Sequence, residues 1–150
     1  MIGIATLGLS AMLACLVMQA MASVIAANYF ARHSRRPLGP QPWRTILLQL
    51  STLMLVLMAG NLVQVTIWAA VYQLFDAFED FETAMYFSGV TFTSLGYGDA
   101  TLTGRIRLLA PLQAATGLMM FGITTALFIA AIQRASTKWA MEHPSTTLED

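Results

Sequence analysis

The chain has 150 residues, 57% of them hydrophobic and only 11% charged, and its eight basic and eight acidic side chains give a formal net charge of +0. Soluble domains carry about 25% charged residues, so this composition excludes an ordinary water-soluble globule and places the chain in a lipid bilayer. The zero net charge removes any global field toward nucleic acid, and the single cysteine, Cys15, excludes a disulfide or a thiolate metal cluster within these residues.

From the N-terminus, residues 1–31 contain no Asp, Glu, Lys or Arg and read as an additional N-terminal transmembrane helix, since about 20 apolar residues suffice to cross about 30 Å of hydrocarbon. No basic stretch precedes this segment, and it exceeds the roughly 7 to 15 residue core of a secretory signal, so a mature helix is expected. A lipoprotein signal ending at Cys15 is the alternative, and Met12-Leu13-Ala14 is a poor cleavage context for it. Residues 32–44 form a short loop in which Pro37, Gly39, Pro40 and Pro42 resist a continuous helix. Residues 45–75 and 108–136 supply the second and third crossings, separated by a loop at 76–107, and the tail 137–150 has too little apolar content to bury.

Basic residues set the expected orientation. Arg32, Arg35, Arg36 and Arg44 crowd the first loop and Arg134 and Lys138 follow the third span, whereas Arg105 and Arg107 lie on the other side. The positive-inside bias then puts the N-terminus outside, the C-terminus in the cytoplasm and the 76–107 loop outward. Trp43, Trp68, Tyr72 and Trp139 fall near the expected interfaces.

In the outer loop, Asp80-Phe81-Glu82 opens the run TAMYFSGVTFT, and acidic residues there suit a helix N-terminus. About three helical turns fit between Phe81 and Phe92. Such a helix is too short to span and too apolar for water, which predicts re-entry into the bilayer. The segment TSLGYGD, Thr93 to Asp99, follows directly. Irregular backbone at membrane depth is tolerated only where protein encloses it or where it lines a watery cavity. Gly96 and Gly98 reach positive φ without steric penalty, so alternating them with other residues can turn successive carbonyl oxygens to one side of the chain.

The stretch FETAMYFSGVTFTSLGYGD, Phe81 to Asp99, resembles the pore helix and selectivity filter of potassium channels, whose filter is commonly written TVGYG and whose carbonyl oxygens replace the hydration shell of the ion. The resemblance implies an all-α membrane protein with three transmembrane helices, a re-entrant pore helix and an extended filter loop. It implies potassium-selective passive conduction as the function, with K+ as the permeant ion and no cofactor, in the inner (plasma) membrane of a bacterial cell. By the same resemblance Ser94, Leu95, Gly96, Tyr97 and Gly98 form the filter, K+ is held by the backbone oxygens of Ser94 to Tyr97 and by the Ser94 hydroxyl, and Tyr97 turns from the axis to prop the filter. Thr93, Asp99 and Tyr86 support it. Serine and leucine stand where threonine and valine are usual, which bears on filter stiffness and on potassium over sodium preference. Val90 occupies a position that some members fill with a carboxylate, so Asp99 is expected to be braced by the Tyr86 hydroxyl instead. One filter segment offers oxygens from one side only and the chain holds no second copy, so a homotetramer is expected. The first span lies outside the two-helix pore and takes no role from the resemblance.

In the third span Gly117 and Gly122 are candidate gating hinges, although close helix packing, with Gly122, Ala126 and Ala130 at four-residue intervals, explains them equally. Pro111 is a candidate kink. Gln19, Asn61, Gln64 and Gln113 are expected to form interhelical hydrogen bonds, a substrate pathway being the alternative. His33 and His143 read as solvated side chains or pH sensors, and Asp76, Glu79 and Asp80 as a solvated rim or a cation-concentrating mouth. No nucleophile–base pair or catalytic carboxylate pair can be assembled, so an enzyme is not expected. A nonselective cation channel and a non-conducting accessory protein with a pore-like fold are the competing functions. No span carries the regularly spaced arginines of a voltage sensor, which leaves gating to an unknown regulatory partner or stimulus.

Overall fold

The computed structural model describes residues 2–34 and 43–142. Along the chain lie α1 (Ile2–Ser34), α2 (Trp43–Leu74), α3 (Phe81–Phe92), a 3-10 turn (Gly104–Leu108) and α4 (Leu109–Glu142). The architecture is all-α, and α1, α2 and α4 are each long and apolar enough to cross a membrane. The readings made for Arg35, Arg36, Pro37, Gly39, Pro40, Pro42 and His143 lie outside the described residues, as do the side chains of His33, Lys138 and Trp139.

The long helices overrun the charge-free stretches: α1 continues through Arg32 to Ser34, α2 begins at Trp43, and α4 continues through Arg134 to Glu142. Helical hydrogen bonding does not stop at the hydrocarbon boundary, and Arg and Lys are good helix formers, so the charges mark where the bilayer ends and not where the helix does. At the other end of α4, Pro111 sits in the first turn, where its missing N–H would have had no intrahelical acceptor. It starts the helix and does not interrupt it.

Both α2 and α3 stop by the same device. At the end of α2 the Ala77 N–H donates to the Tyr72 carbonyl (3.1 Å) and the Asp76 N–H to the Gln73 carbonyl (3.0 Å), with Asp76 at φ 49°. At the end of α3 the Leu95 N–H donates to Val90 (3.0 Å) and the Ser94 N–H to Thr91 (3.0 Å), with Ser94 at φ 60°. These are paired 6→1 and 5→2 bonds closing on a left-handed residue, a position glycine normally fills. The two turns reverse the chain sharply enough to place α3 between α2 and α4, and α3 packs against both.

The largest buried cluster joins all four helices, bringing together Cys15 of α1, Trp68 and Tyr72 of α2, Ala84 and Phe87 of α3, and Leu109 of α4. Helix α1 packs along α2 and α4. Its Gly8 lies against the side chains of Leu109 and Leu112. A second cluster, Val65, Phe92 and Met120, sits beside the end of α3. There α4 crosses so closely that a Cβ at Gly117 would overlap the Phe92 carbonyl oxygen, whereas Gly122 has no neighbour within 4 Å. The two glycines are thus distinct: Gly117 is a backbone-to-backbone contact, and Gly122 faces open space.

Gly117→Ala is therefore expected to lower stability by about 1 to 3 kcal/mol, because backbone must move to admit the methyl. Gly122→Ala, in an open helical position, is expected to raise it by up to about 1 kcal/mol. Thermal unfolding of the two variants in detergent distinguishes them; equal shifts would remove the packing role given to Gly117.

Candidate functional site

The outer loop is built from a capped helix end. Asp80, at φ −132° and ψ 159°, precedes α3, and its carboxylate accepts from the Thr83 N–H (2.6 Å) and the Thr83 hydroxyl (3.0 Å). These bonds hold the Asp80 carboxyl below the usual carboxylate range. Asp80 is thus the cap of α3, at the helix N-terminus expected from Asp80-Phe81-Glu82, while Asp76 occupies the left-handed turn of α2.

One face of α3 is fastened by polar side chains inside the helical bundle. The buried Ser88 donates its hydroxyl to the Val65 carbonyl of α2 (2.7 Å) and accepts from Gln113 Nε2 of α4 (2.6 Å). Gln113 Nε2 also donates to the Ser88 carbonyl (3.0 Å), and its Oε1 accepts from the Tyr72 hydroxyl (2.5 Å). One buried amide therefore ties three helices together with its donor and acceptor atoms both engaged. Rings complete the wall: Tyr72 meets Phe87 edge-on at 5.1 Å between centroids, and Phe78 lies 5.1 Å from Phe87. Between α1 and α2, Gln64 Nε2 donates to Gln19 Oε1 (2.8 Å). The interhelical bonding expected of Gln19, Gln64 and Gln113 is thus present, whereas Asn61 is buried with its amide oxygen unpartnered.

At the far end of α3, the Thr93 hydroxyl turns back to the Gly89 (2.8 Å) and Val90 (3.2 Å) carbonyls. The next residues have no regular structure, and positive φ recurs at alternate positions: Ser94 at 60°, Gly96 at 57° and Gly98 at 80°. The two glycines were expected to permit this geometry. Ser94 was not, and no signal in its side chain announces it; the cause is the helix-terminating turn, which falls on whichever residue follows the cap.

The segment is tied back at Asp99, whose Oδ2 accepts from the Tyr86 hydroxyl at 2.6 Å and whose Oδ1 accepts from the Ala100 N–H at 3.0 Å. The Tyr86 bond holds the Asp99 carboxyl below its ordinary range and pushes the Tyr86 phenol up. Thr93 to Asp99 are all exposed in the single chain, Tyr97 at 68%, so Tyr97 has no buried seat among the helices of its own chain. Behind the segment a cleft of about 430 Å³ opens between Phe87, Val90, Ser94, Gly96 and Pro111.

The fold and this loop define a class: a membrane-embedded helical bundle that presents a short internal helix and an irregular, glycine-containing backbone between two spanning helices. Residues 60–134, half of the chain, match the ion channel family, and the chain belongs to that family. The matched region runs from the latter half of α2 through most of α4 and leaves α1 outside. No curated protein and no solved structure matches the chain significantly.

Two outcomes follow from the geometry. Serine in the left-handed region is disfavoured by about 1 kcal/mol, so Ser94→Gly is expected to raise the unfolding midpoint by a corresponding amount and Ser94→Val to lower it. The Asp99 contribution to folding is present above the ordinary carboxylate pKa of about 3.9 and is lost as pH falls through its lowered value. In Tyr86→Phe the Asp99 titration should move up toward about 3.9, followed by carboxyl NMR; an unchanged midpoint would show that the bond does not hold in solution.

Proposed function

We propose that this chain is the subunit of a potassium-selective channel, four copies of which surround a common axis and conduct K+ passively through the backbone of Ser94, Leu95, Gly96, Tyr97 and Gly98. The observation that carries the reading is the alternation of left-handed residues at Ser94, Gly96 and Gly98 in a segment leaving a short anchored helix. Alternating handedness is what an extended backbone needs to turn consecutive carbonyls toward one side, and such a ladder replaces the water around a cation. The carbonyl oxygens of Ser94 to Tyr97 and the Ser94 hydroxyl are the ligands, with Thr93, Tyr86 and Asp99 as supports.

The exposed Leu95 and Tyr97, and the open cleft behind the segment, favour neighbouring copies as the missing enclosure. Backbone at this depth must be surrounded by protein or water. Fourfold assembly also points the C-terminal dipole ends of four α3 helices at the central cavity, which favours a cation there. In this arrangement α4 lines the inner pore, the N-terminus is outside and the C-terminus is cytoplasmic.

The test is ion-replacement flux with the purified protein in liposomes. Potassium-driven flux without sodium flux is expected, and Gly96→Ala should abolish it, since alanine at φ 57° is disfavoured although nothing lies within 4 Å of the new methyl. Tyr86→Phe should hasten the loss of conduction during sustained opening. Equal potassium and sodium flux would make the chain a nonselective cation channel, and no flux under any condition would make it an accessory protein with a pore-like fold.

A further inference from the structure

Between α1 and α2, in the half of the bundle nearest their connection, lies a partly enclosed furrow of about 220 Å³ lined by Ile25, Ala26 and Tyr29 on one side and Gln49, Thr52 and Val56 on the other. Its wall is wholly apolar. Thr52 directs its hydroxyl to the Leu48 carbonyl (2.7 Å), and so presents no unmet polar group. The floor is fixed by packing, because Ala26 and Leu53 are buried together with Leu57 and Ala131. The rims are not: Ile25, Tyr29 and Val56 are all exposed. A furrow of this kind on a membrane-facing surface is occupied by something apolar, either a lipid tail or a helix of another copy.

Charge decides between them. On α1, Ile25, Tyr29 and Arg32 follow one another at helical spacing along the same face, and on α2 Arg44, Leu48 and Thr52 do likewise. Arg32 lies about 4.5 Å along the axis beyond Tyr29, and Arg44 about 7.5 Å beyond Gln49. Both are exposed, and among the described residues neither has a carboxylate partner. The Arg44 guanidinium lies 5.8 Å from the centroid of the Trp43 ring, a residue suited to the interfacial layer. In the sequence no acidic residue occurs before Asp76, so α1, α2 and the segment joining them carry only basic charge at this end. The α1–α2 pair of another copy seated here would bring only further basic residues to this end, whereas a lipid phosphate would neutralise them.

We infer that the furrow is a binding site for an anionic phospholipid, one acyl chain lying between Ile25, Ala26, Tyr29 and Val56 and the phosphate held by Arg32 and Arg44. The site uses α1, which lies outside the matched ion channel region, and it stands whether or not the chain conducts potassium. It gives the first helix a specific occupant on the face it shares with α2.

Native mass spectrometry of the full chain, released from detergent after titration with phosphatidylglycerol or phosphatidylcholine, tests it. The unaltered protein should retain phosphatidylglycerol over phosphatidylcholine on the order of tenfold, from two arginines near a lipid phosphate. Arg32→Gln with Arg44→Gln should remove that preference. Val56→Trp and Ile25→Trp, which fill the furrow from opposite walls, should each reduce retention of both lipids. Equal retention by the unaltered protein, or a preference that survives the double glutamine change, overturns the proposal. So does a tryptophan variant that dissociates an oligomer while leaving lipid retention intact, since the furrow would then hold a second copy.

Discussion

A twelve-residue helix is too short to cross a membrane, and this fold is organised around holding one between two helices that are long enough to do so. Helix α3 is about 18 Å long, against the roughly 30 Å that a spanning helix covers, and its polar groups find partners within the protein. The Gln113 amide supplies the central fastening. It engages Ser88 twice and Tyr72 once, and Ser88 in turn reaches Val65, so the polar groups of this cluster are matched and not merely hidden. In a medium without water an unmatched group is expensive, and a matched network therefore fixes which face of α3 turns toward α2 and α4. The irregular segment inherits its position from that choice.

The opposite ends of α3 are controlled by different chemistry. At its start Asp80 satisfies orphan donors from outside the helix, a task a carboxylate performs well beside the positive end of the dipole. At its end the Thr93 hydroxyl only turns back onto the Gly89 and Val90 carbonyls. The backbone closes on itself and Ser94 takes the left-handed conformation that follows. The chain thus enters the glycine-containing stretch already turned, and the alternation at Gly96 and Gly98 continues a pattern begun by the helix terminus.

Much of this was legible from residue types alone. Charge-free runs announce the three long helices because charge is costly in hydrocarbon, and a short apolar run behind an acidic cluster announces α3. The Tyr86–Asp99 hydrogen bond was expected from likeness to potassium channel pores. The role of Ser88 was harder to see, although a polar residue one turn after Ala84, on the buried side of an apolar helix, was the available signal. Gly117 was ambiguous for a physical reason: a glycine needed for close approach and one needed for bending look identical until the neighbouring backbone is known. The left-handed serine was illegible, because hydrogen bonds between backbone atoms impose it. Nor could hydropathy reveal that Cys15 of the first helix shares a core with Trp68, Tyr72 and Leu109, since a lipid-facing residue and a helix-facing one are equally apolar.

The near-contact of Gly117 with the Phe92 carbonyl has a mechanical corollary. No side chain stands between the two backbones to absorb a shift by changing rotamer, so any tilt of α4 against α3 would have this crossing as its fulcrum. Its arms are unequal: about 12 Å of α4 lies on the side of Leu109 and about 38 Å on the side of Glu142. A tilt that barely displaces the short arm, packed beneath α1 and the 3-10 turn, sweeps the long arm through roughly three times the distance.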